Sequence, residues 1–261
     1  MDRVHDRLLT RRSLLIGLSA LLCAAPADAR GWQDGIVSLT FDDGLNSQLD
    51  IAVPELDKRR MHGTFYVTLE NIEARAEDWA RVGREGHEVA DHSTHHPCDL
   101  ARLTAAQYQR RELAPIERWL DARFGTQRVR DFAYPCDVTD LGSGSANAQA
   151  HRFARLLRRN AIASARTSEG PPNPIAWARR HPYQLQALAL GYDADTLDTV
   201  LAYLRRAQAG SRWAVLVFHE IGDGAASNGF VSSGEFSRLL DAIPALGIRC
   251  ATVGEVMRSL G

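Results

Sequence analysis

The sequence predicts an α/β protein in which a parallel sheet closes, or nearly closes, into a barrel with helices packed outside it. Three observations carry this. Short apolar runs rich in β-branched or aromatic residues recur along the chain, helical periodicity fills the intervals between them, and the two patterns alternate from the first run to the last. Seven or eight such units with no second zone of composition favour a barrel in a single domain; a doubly wound open sheet is the alternative.

In chain order the strand-like runs are 36–41, 63–68, 87–90, 131–134, 161–165, 185–190, 214–218 and 248–252. Helical patterns are clearest over 105–124, 146–159, 194–209 and 234–245, with Thr104 and Ser233 placed as capping residues. Two stretches read as loops: 137–145, rich in Gly and Ser, and 169–174, with three prolines. Each is either a wall of a substrate groove, since loops at the C-terminal ends of barrel strands carry function, or a plain surface connection.

The 261 residues are 45% hydrophobic and 24% charged, which suits one globular domain over 30–261 once a targeting segment, 1–29, is removed. The formal net charge of −1 and the lack of a long basic run give no reason to expect a nucleic acid partner. Lys58, the only lysine, follows no glycine loop, so a phosphate-binding GxxxxGK[ST] loop is excluded. At the N-terminus Arg3 and Arg7 precede Thr10-Arg11-Arg12-Ser13-Leu14-Leu15, an apolar run to Ala25 and then Ala27-Asp28-Ala29. Such a run is too short for a stable membrane anchor, and Ala-x-Ala is a cleavage pattern, so the mature chain is expected to start near Arg30 in a periplasmic or secreted bacterial protein. The paired arginines make the export signal twin-arginine in type; an ordinary positive n-region is the other reading. Cys23 follows the bulky Leu22, which argues against a lipid anchor.

Chemistry concentrates at three strand ends. The first run ends in Asp42-Asp43-Gly44, where adjacent carboxylates raise each other's pKa unless a cation compensates; an Asx turn or a helix cap is the structural alternative. The third run is followed by His92-Ser93-Thr94-His95-His96-Pro97. His92 and His96, four apart, can meet on one side of a helical turn and bind one ion, or the cluster is a surface patch. His95 would point elsewhere on such a turn, and His87 belongs to the preceding strand. Near the C-terminus, the apolar run 214–218 ends in His219, either a core histidine or a third contributor. If these strands are parallel members of one barrel, Asp42, Asp43, His92, His96 and His219 converge on one face.

Thr40-Phe41-Asp42-Asp43-Gly44, His92-Ser93-x-x-His96-Pro97 and Leu216-x-Phe218-His219, in this order, resemble the signature of the polysaccharide deacetylase family, carbohydrate esterase family 4. The resemblance implies a deformed (β/α) barrel of about seven parallel strands. It also implies a metal-dependent hydrolase that removes N- or O-linked acetyl groups from a glycan, with Asp42 as general base and His219 as general acid. By the same resemblance Asp43, His92 and His96 hold Zn2+, or another divalent metal such as Co2+. A backbone N–H of the segment around Tyr134, that of Cys136, would bind the oxyanion. The sequence departs from the family where a base-orienting arginine is usual: Ala133 stands there, and Arg166 is the substitute considered, against a solvated strand end. Trp177 is the candidate for the aromatic wall, against a packed Trp. Cys98 and Cys136 both lie beside these motifs and are the expected disulfide in an oxidising compartment, leaving Cys250 free; three buried thiols are the alternative. Hydrolysis of another small amide, or glycan binding with little catalysis, are the competing functions.

Overall fold

The computed structural model describes residues 34–126, 130–191, 197–223 and 229–261. The expected targeting segment 1–29, with the expected cleavage site and Cys23, lies outside the described residues. Seven parallel staves run β1 (Ile36–Asp43), β2 (Thr64–Val67), β3 (Glu88–Asp91), β4 (Arg130–Ala133), β5 (Ile162–Arg166), β6 (Leu188–Ala189) and β7 (Arg212–Phe218). Neighbours follow sequence order from β1 to β5, and β7 returns to pair with β1 from Ile36↔Trp213 to Phe41↔Phe218. The ring closes through one thin segment: Leu185 bridges to Arg166, and Leu188 and Ala189 pair with Leu216 and Val217. The deformed barrel expected from the motifs is therefore present, with its weakest pairing between β5 and β7.

The expected run 248–252 is not an eighth stave. Its strand, Arg249–Cys250, pairs only with Ile36 and Val37, and the Val253 N–H donates to Thr64 Oγ1 at 2.9 Å, so the segment is a wedge below β2. Outside the ring lie α1 (Val53–Lys58), α2 (Ala76–Arg84), α3 (Ala114–Phe124), α4 (Ala146–Arg159), α6 (Leu197–Ala209) and α7 (Ser233–Ala245), while α5 (Ile175–Arg180) and α8 (Val253–Leu260) pack against the interior cluster through Ala178 and through Val253, Val256 and Leu260. The 105–124 helical stretch begins as expected at Thr104, in a capping box with Gln107, but widens into a π-type turn over Gln109–Leu113 before α3. The cap of α7 is Ser232 rather than Ser233, because the box partner Glu235 fixes the frame three residues earlier.

Alternation along β1 builds two cores. Val37, Leu39 and Phe41 face the helices together with Phe65, Val67, Leu216 and Phe218, while Ile36 faces the barrel interior with Tyr66, Ala90, Ala133, Trp213 and Val217. The interior is partly polar, and several of its groups are hydrogen-bonded: Ser38 Oγ donates to the Ala251 carbonyl at 2.8 Å and accepts from Trp213 Nε1 at 2.9 Å, and Thr40 Oγ1 donates to the Leu216 carbonyl at 2.8 Å. The same alternation carries Asp42, His92, Arg166 and His219 inward at the C-terminal mouth of their strands.

Candidate active site

Asp42 continues the inward row of β1 and is 4% exposed. By alternation Asp43 would face the helices, but its backbone is left-handed (φ 77°), as is that of Gly44 (φ 73°), and this turns the second carboxylate back toward the mouth. The turn is held from outside by Thr68 Oγ1 and Asn71 Nδ2, which donate to the Asp43 carbonyl at 3.2 and 3.0 Å. Adjacent carboxylates thus share a site while their backbones take different conformations.

His92 and His96 meet with ring centroids 4.7 Å apart, yet not on a helical turn. The segment after β3 is a loop in which Ser93 (φ 72°) and His96 (φ 53°) are left-handed. Buried Asp91 fixes it by accepting from the Ser93 N–H at 2.6 Å, and Ser93 Oγ accepts from the His96 N–H at 2.9 Å. His95 turns outward to Glu112, whose Oε2 accepts from the His95 N–H at 3.0 Å. His87 is structural: its Nδ1 accepts from the Gly63 N–H at 3.1 Å, and its Nε2 faces Asp57 at 3.2 Å.

Asp43 Oδ1 lies 3.5 Å from His92 Nε2 and 3.6 Å from His96 Nε2, and one ligand atom from each of the three residues falls within 4.8 Å of the others. Donors at about 2.1 Å from a tetrahedral zinc stand roughly 3.4 Å apart, so the set fits a divalent cation. The buried His92 also meets the second requirement of a ligand imidazole, since its Nδ1 is 2.9 Å from the Ala133 carbonyl and leaves Nε2 for a metal. Burial holds the His92 imidazole below its ordinary pKa, against the pull of Asp42 and Asp43, which favours the neutral ligand form.

Arg166, 1% exposed, donates from Nη2 to Asp42 Oδ1 and lies 4.6 Å over the Tyr66 ring. It sits behind Asp42 and is not among the residues that line the cleft, where the oxyanion or substrate contact expected of it would have to be made. Burial opposes ionisation of Asp42, but the charge and hydrogen bond of Arg166, with His92 and His219, outweigh it and hold the carboxyl below its ordinary range. Gln48 was not legible as a site residue: its Nε2 donates to the Asp42 carbonyl and, at 3.1 Å, to the His219 carbonyl, tying the ends of β1 and β7 together. A polar residue inside an apolar helical run was its only sequence signal.

The cleft above holds about 770 Å³. Asp42, Asp43, His92, His96 and His219 line it, with Tyr134, Cys136 and Asp137 on one wall and Ser168, Glu169, Gly170, Leu188 and Ala189 on the other. Both expected loops contribute, the first through Asp137 and the second through Glu169 and Gly170. Asp137 joins the walls by accepting from the Ser168 N–H at 2.7 Å. Tyr134 contributes mainly packing: it is 3% exposed, rests against Phe132 and Phe153, and donates its hydroxyl to the Tyr183 carbonyl at 3.2 Å. Trp177 is not at the site. Its helix α5 follows Pro174, which pairs with Arg212 at the opposite end of β7, and its ring packs on His181 at 5.1 Å. Cys98 and Cys136 form the expected disulfide, with Cα atoms 5.5 Å apart, and Cys250 is the free cysteine among the described residues.

The family model for polysaccharide deacetylase matches residues 30–150, which include the first two motifs. Over this stretch, a little under half of its length, the chain resembles the polysaccharide deacetylase family. It is similar to the peptidoglycan-N-acetylmuramic acid deacetylase PdaA of Bacillus subtilis (39% identity over 74 residues, 28% of each chain). It is also similar to the chitooligosaccharide deacetylase of Rhizobium leguminosarum bv. trifolii (34% over 123 residues, 46% of this chain and 57% of that one). The aligned regions thus span between about a quarter and three fifths of these relatives. Among solved structures, the Bc1960 peptidoglycan N-acetylglucosamine deacetylase superposes with a TM-score of 0.60 at 16% identity, over 87% of this chain and 90% of that one, which places the two chains in one fold.

Proposed function

We propose that this polysaccharide deacetylase relative is a divalent-metal-dependent hydrolase that removes an acetyl group, amide- or ester-linked, from a carbohydrate outside the cytoplasm. One observation carries the reading: Asp43, His92 and His96 converge as a ligand set while the neighbouring Asp42 is kept apart from it as an ionised, arginine-held carboxylate. The names of the relatives, which specify peptidoglycan and chitooligosaccharides, support a glycan substrate. The N-terminal export pattern supports action outside the cytoplasm, and no helix among the described residues is long and apolar enough to cross a membrane.

Asp43, His92 and His96 would hold zinc or cobalt, which when bound polarises the acetyl carbonyl and makes water more acidic. Arg166 occupies Asp42 Oδ1, leaving Oδ2 to take the proton of the attacking water. His219, across the cleft on the end of β7, gives a proton to the departing amine or alcohol. The Cys136 N–H, on a left-handed residue (φ 53°) at the cleft wall, would donate to the oxyanion, a contribution of about 3 kcal/mol. Arg166 beside Asp42 weakens the alternative of a barely active binding protein, which rested on Ala133 alone.

Acetate release from acetylated oligosaccharides tests the reading. Release should vanish with a chelator, return with zinc or cobalt, and fall about 10²–10⁴-fold in Asp42→Asn. Equal release from wild type and Asp42→Asn overturns it.

A further inference from the structure

The two ring nitrogens of His96 face different chemistry. Nε2 lies 3.6 Å from Asp43 Oδ1, whereas Nδ1 lies 3.9 Å from Cys98 Sγ and 3.9 Å from Cys136 Sγ. His92 is oriented by a backbone carbonyl, but among the described residues only the disulfide sulfurs lie beside the second nitrogen of His96, and sulfur accepts weakly. His96, Cys98 and Cys136 also place one potential ligand atom each within 4.8 Å of the others, in the same way as Asp43, His92 and His96.

We propose that Cys98, Cys136 and His96 form a second, redox-gated divalent-metal site, closed while the disulfide stands and opened when a dithiol reduces it. In the opening step the dithiol gives two electrons and two protons: its two S–H bonds are replaced by its own S–S bond, the Cys98–Cys136 bond breaks, and two thiols result. On metal binding both thiols release their protons. Two thiolates and one imidazole leave a fourth position for water, and such sulfur donors select zinc-like ions over magnesium or calcium. Both cysteines are exposed, so a dithiol reaches them; Cys250 is partly covered, and burial pushes its thiol up to about 12, which keeps it out of the exchange.

The shared ligand couples the two sites. A neutral imidazole has one lone pair, so while Nδ1 carries the proton, Nε2 serves Asp43 and His92; when the thiolate site takes Nδ1, the proton moves to Nε2 and the first site loses a ligand. The inference shares His96 with the hydrolase reading but stands on the sulfur geometry.

Cobalt spectroscopy of the full-length protein tests it, because thiolate-to-cobalt charge transfer marks sulfur ligation independently of turnover. The oxidised protein should bind Co2+ without sulfur absorption. After reduction by a dithiol and removal of excess reductant, the sulfur band should appear, persist in Cys250→Ser and be absent from Cys98→Ser/Cys136→Ser. Reduced wild type without the band, or a band that disappears in Cys250→Ser, overturns the second site. Failure of the oxidised protein to bind Co2+ at all overturns the Asp43, His92 and His96 reading instead, and leaves the sulfur band to decide this one.

Discussion

Arg166 and Asp42 are 124 positions apart and act as one unit. Replacing Arg166 with Met removes the cation that keeps the carboxyl low, so the acid limb of the pH–rate profile should move to higher pH and kcat should fall by about 10²-fold; Arg166→Lys, which keeps the charge, should move the limb less. The Met variant also leaves a buried carboxylate unpaired, at about 3–5 kcal/mol, measurable by denaturant unfolding. The sign for wild type follows from the depressed folded-state pKa. Stability from Asp42 is fully present above the ordinary value of 3.8 and is lost as pH falls through the lower folded value, so acid unfolding should begin later in wild type than in Arg166→Met. Asp42, Asp43, His92, His96 and His219 were legible as a cluster because each lies at or just beyond the end of an apolar run. Arg166 was legible only as a basic strand end, since its partner depends on strand parity and ring closure. Trp177 misled because an aromatic side chain carries no mark of which barrel end it occupies.

At the scale of elements, the π-type turn Gln109–Leu113 has a positional role. It carries Glu112, 6% exposed, under the His92–His96 loop, where its carbonyl accepts from Thr94 Oγ1 at 2.8 Å and its carboxylate accepts from the His95 N–H. Glu112→Ala should cost about 1–3 kcal/mol in thermal unfolding through the unsatisfied amide, and should weaken metal binding by about tenfold in a chelator competition, although Glu112 touches neither ligand imidazole. Nothing in the helical pattern of 105–124 distinguishes this glutamate from a solvated one, because a widened turn leaves apolar periodicity almost intact. The His92–His96 spacing pointed to two rings that do meet, but not on the helical turn it suggested: the backbone brings them together by two left-handed residues, which short polar loops adopt without a sequence signature beyond Ser and Pro.

Across the whole molecule, stability and closure are separated. Phe41 stacks on Phe65 and Phe218 at 4.6 and 5.1 Å and meets Phe236 of α7 edge-on at 5.9 Å, so it joins β1, β2, β7 and a helix; Phe41→Ala should lower unfolding free energy by about 3–5 kcal/mol. The seam at 185–190 is held by few rungs, with the Leu185 N–H donating to the Ala165 carbonyl and the Ala189 N–H to that of Ser168, both at 3.0 Å. Hydrogen exchange should therefore be at least about tenfold faster at Leu185 and Ala189 than at Leu39 or Leu216. The alternation of runs made the parallel barrel legible. It did not reveal that 248–252 is a wedge, because a two-residue pairing and a full stave share the same apolar composition. Asp43, Ser93, His96, Cys136 and Asp137 all hold positive φ around the cleft, each costing of the order of 1 kcal/mol that the aromatic packing beneath must offset. Warming should therefore undo the working part of the molecule first: catalysis should fade several degrees before circular dichroism records any melting of the scaffold.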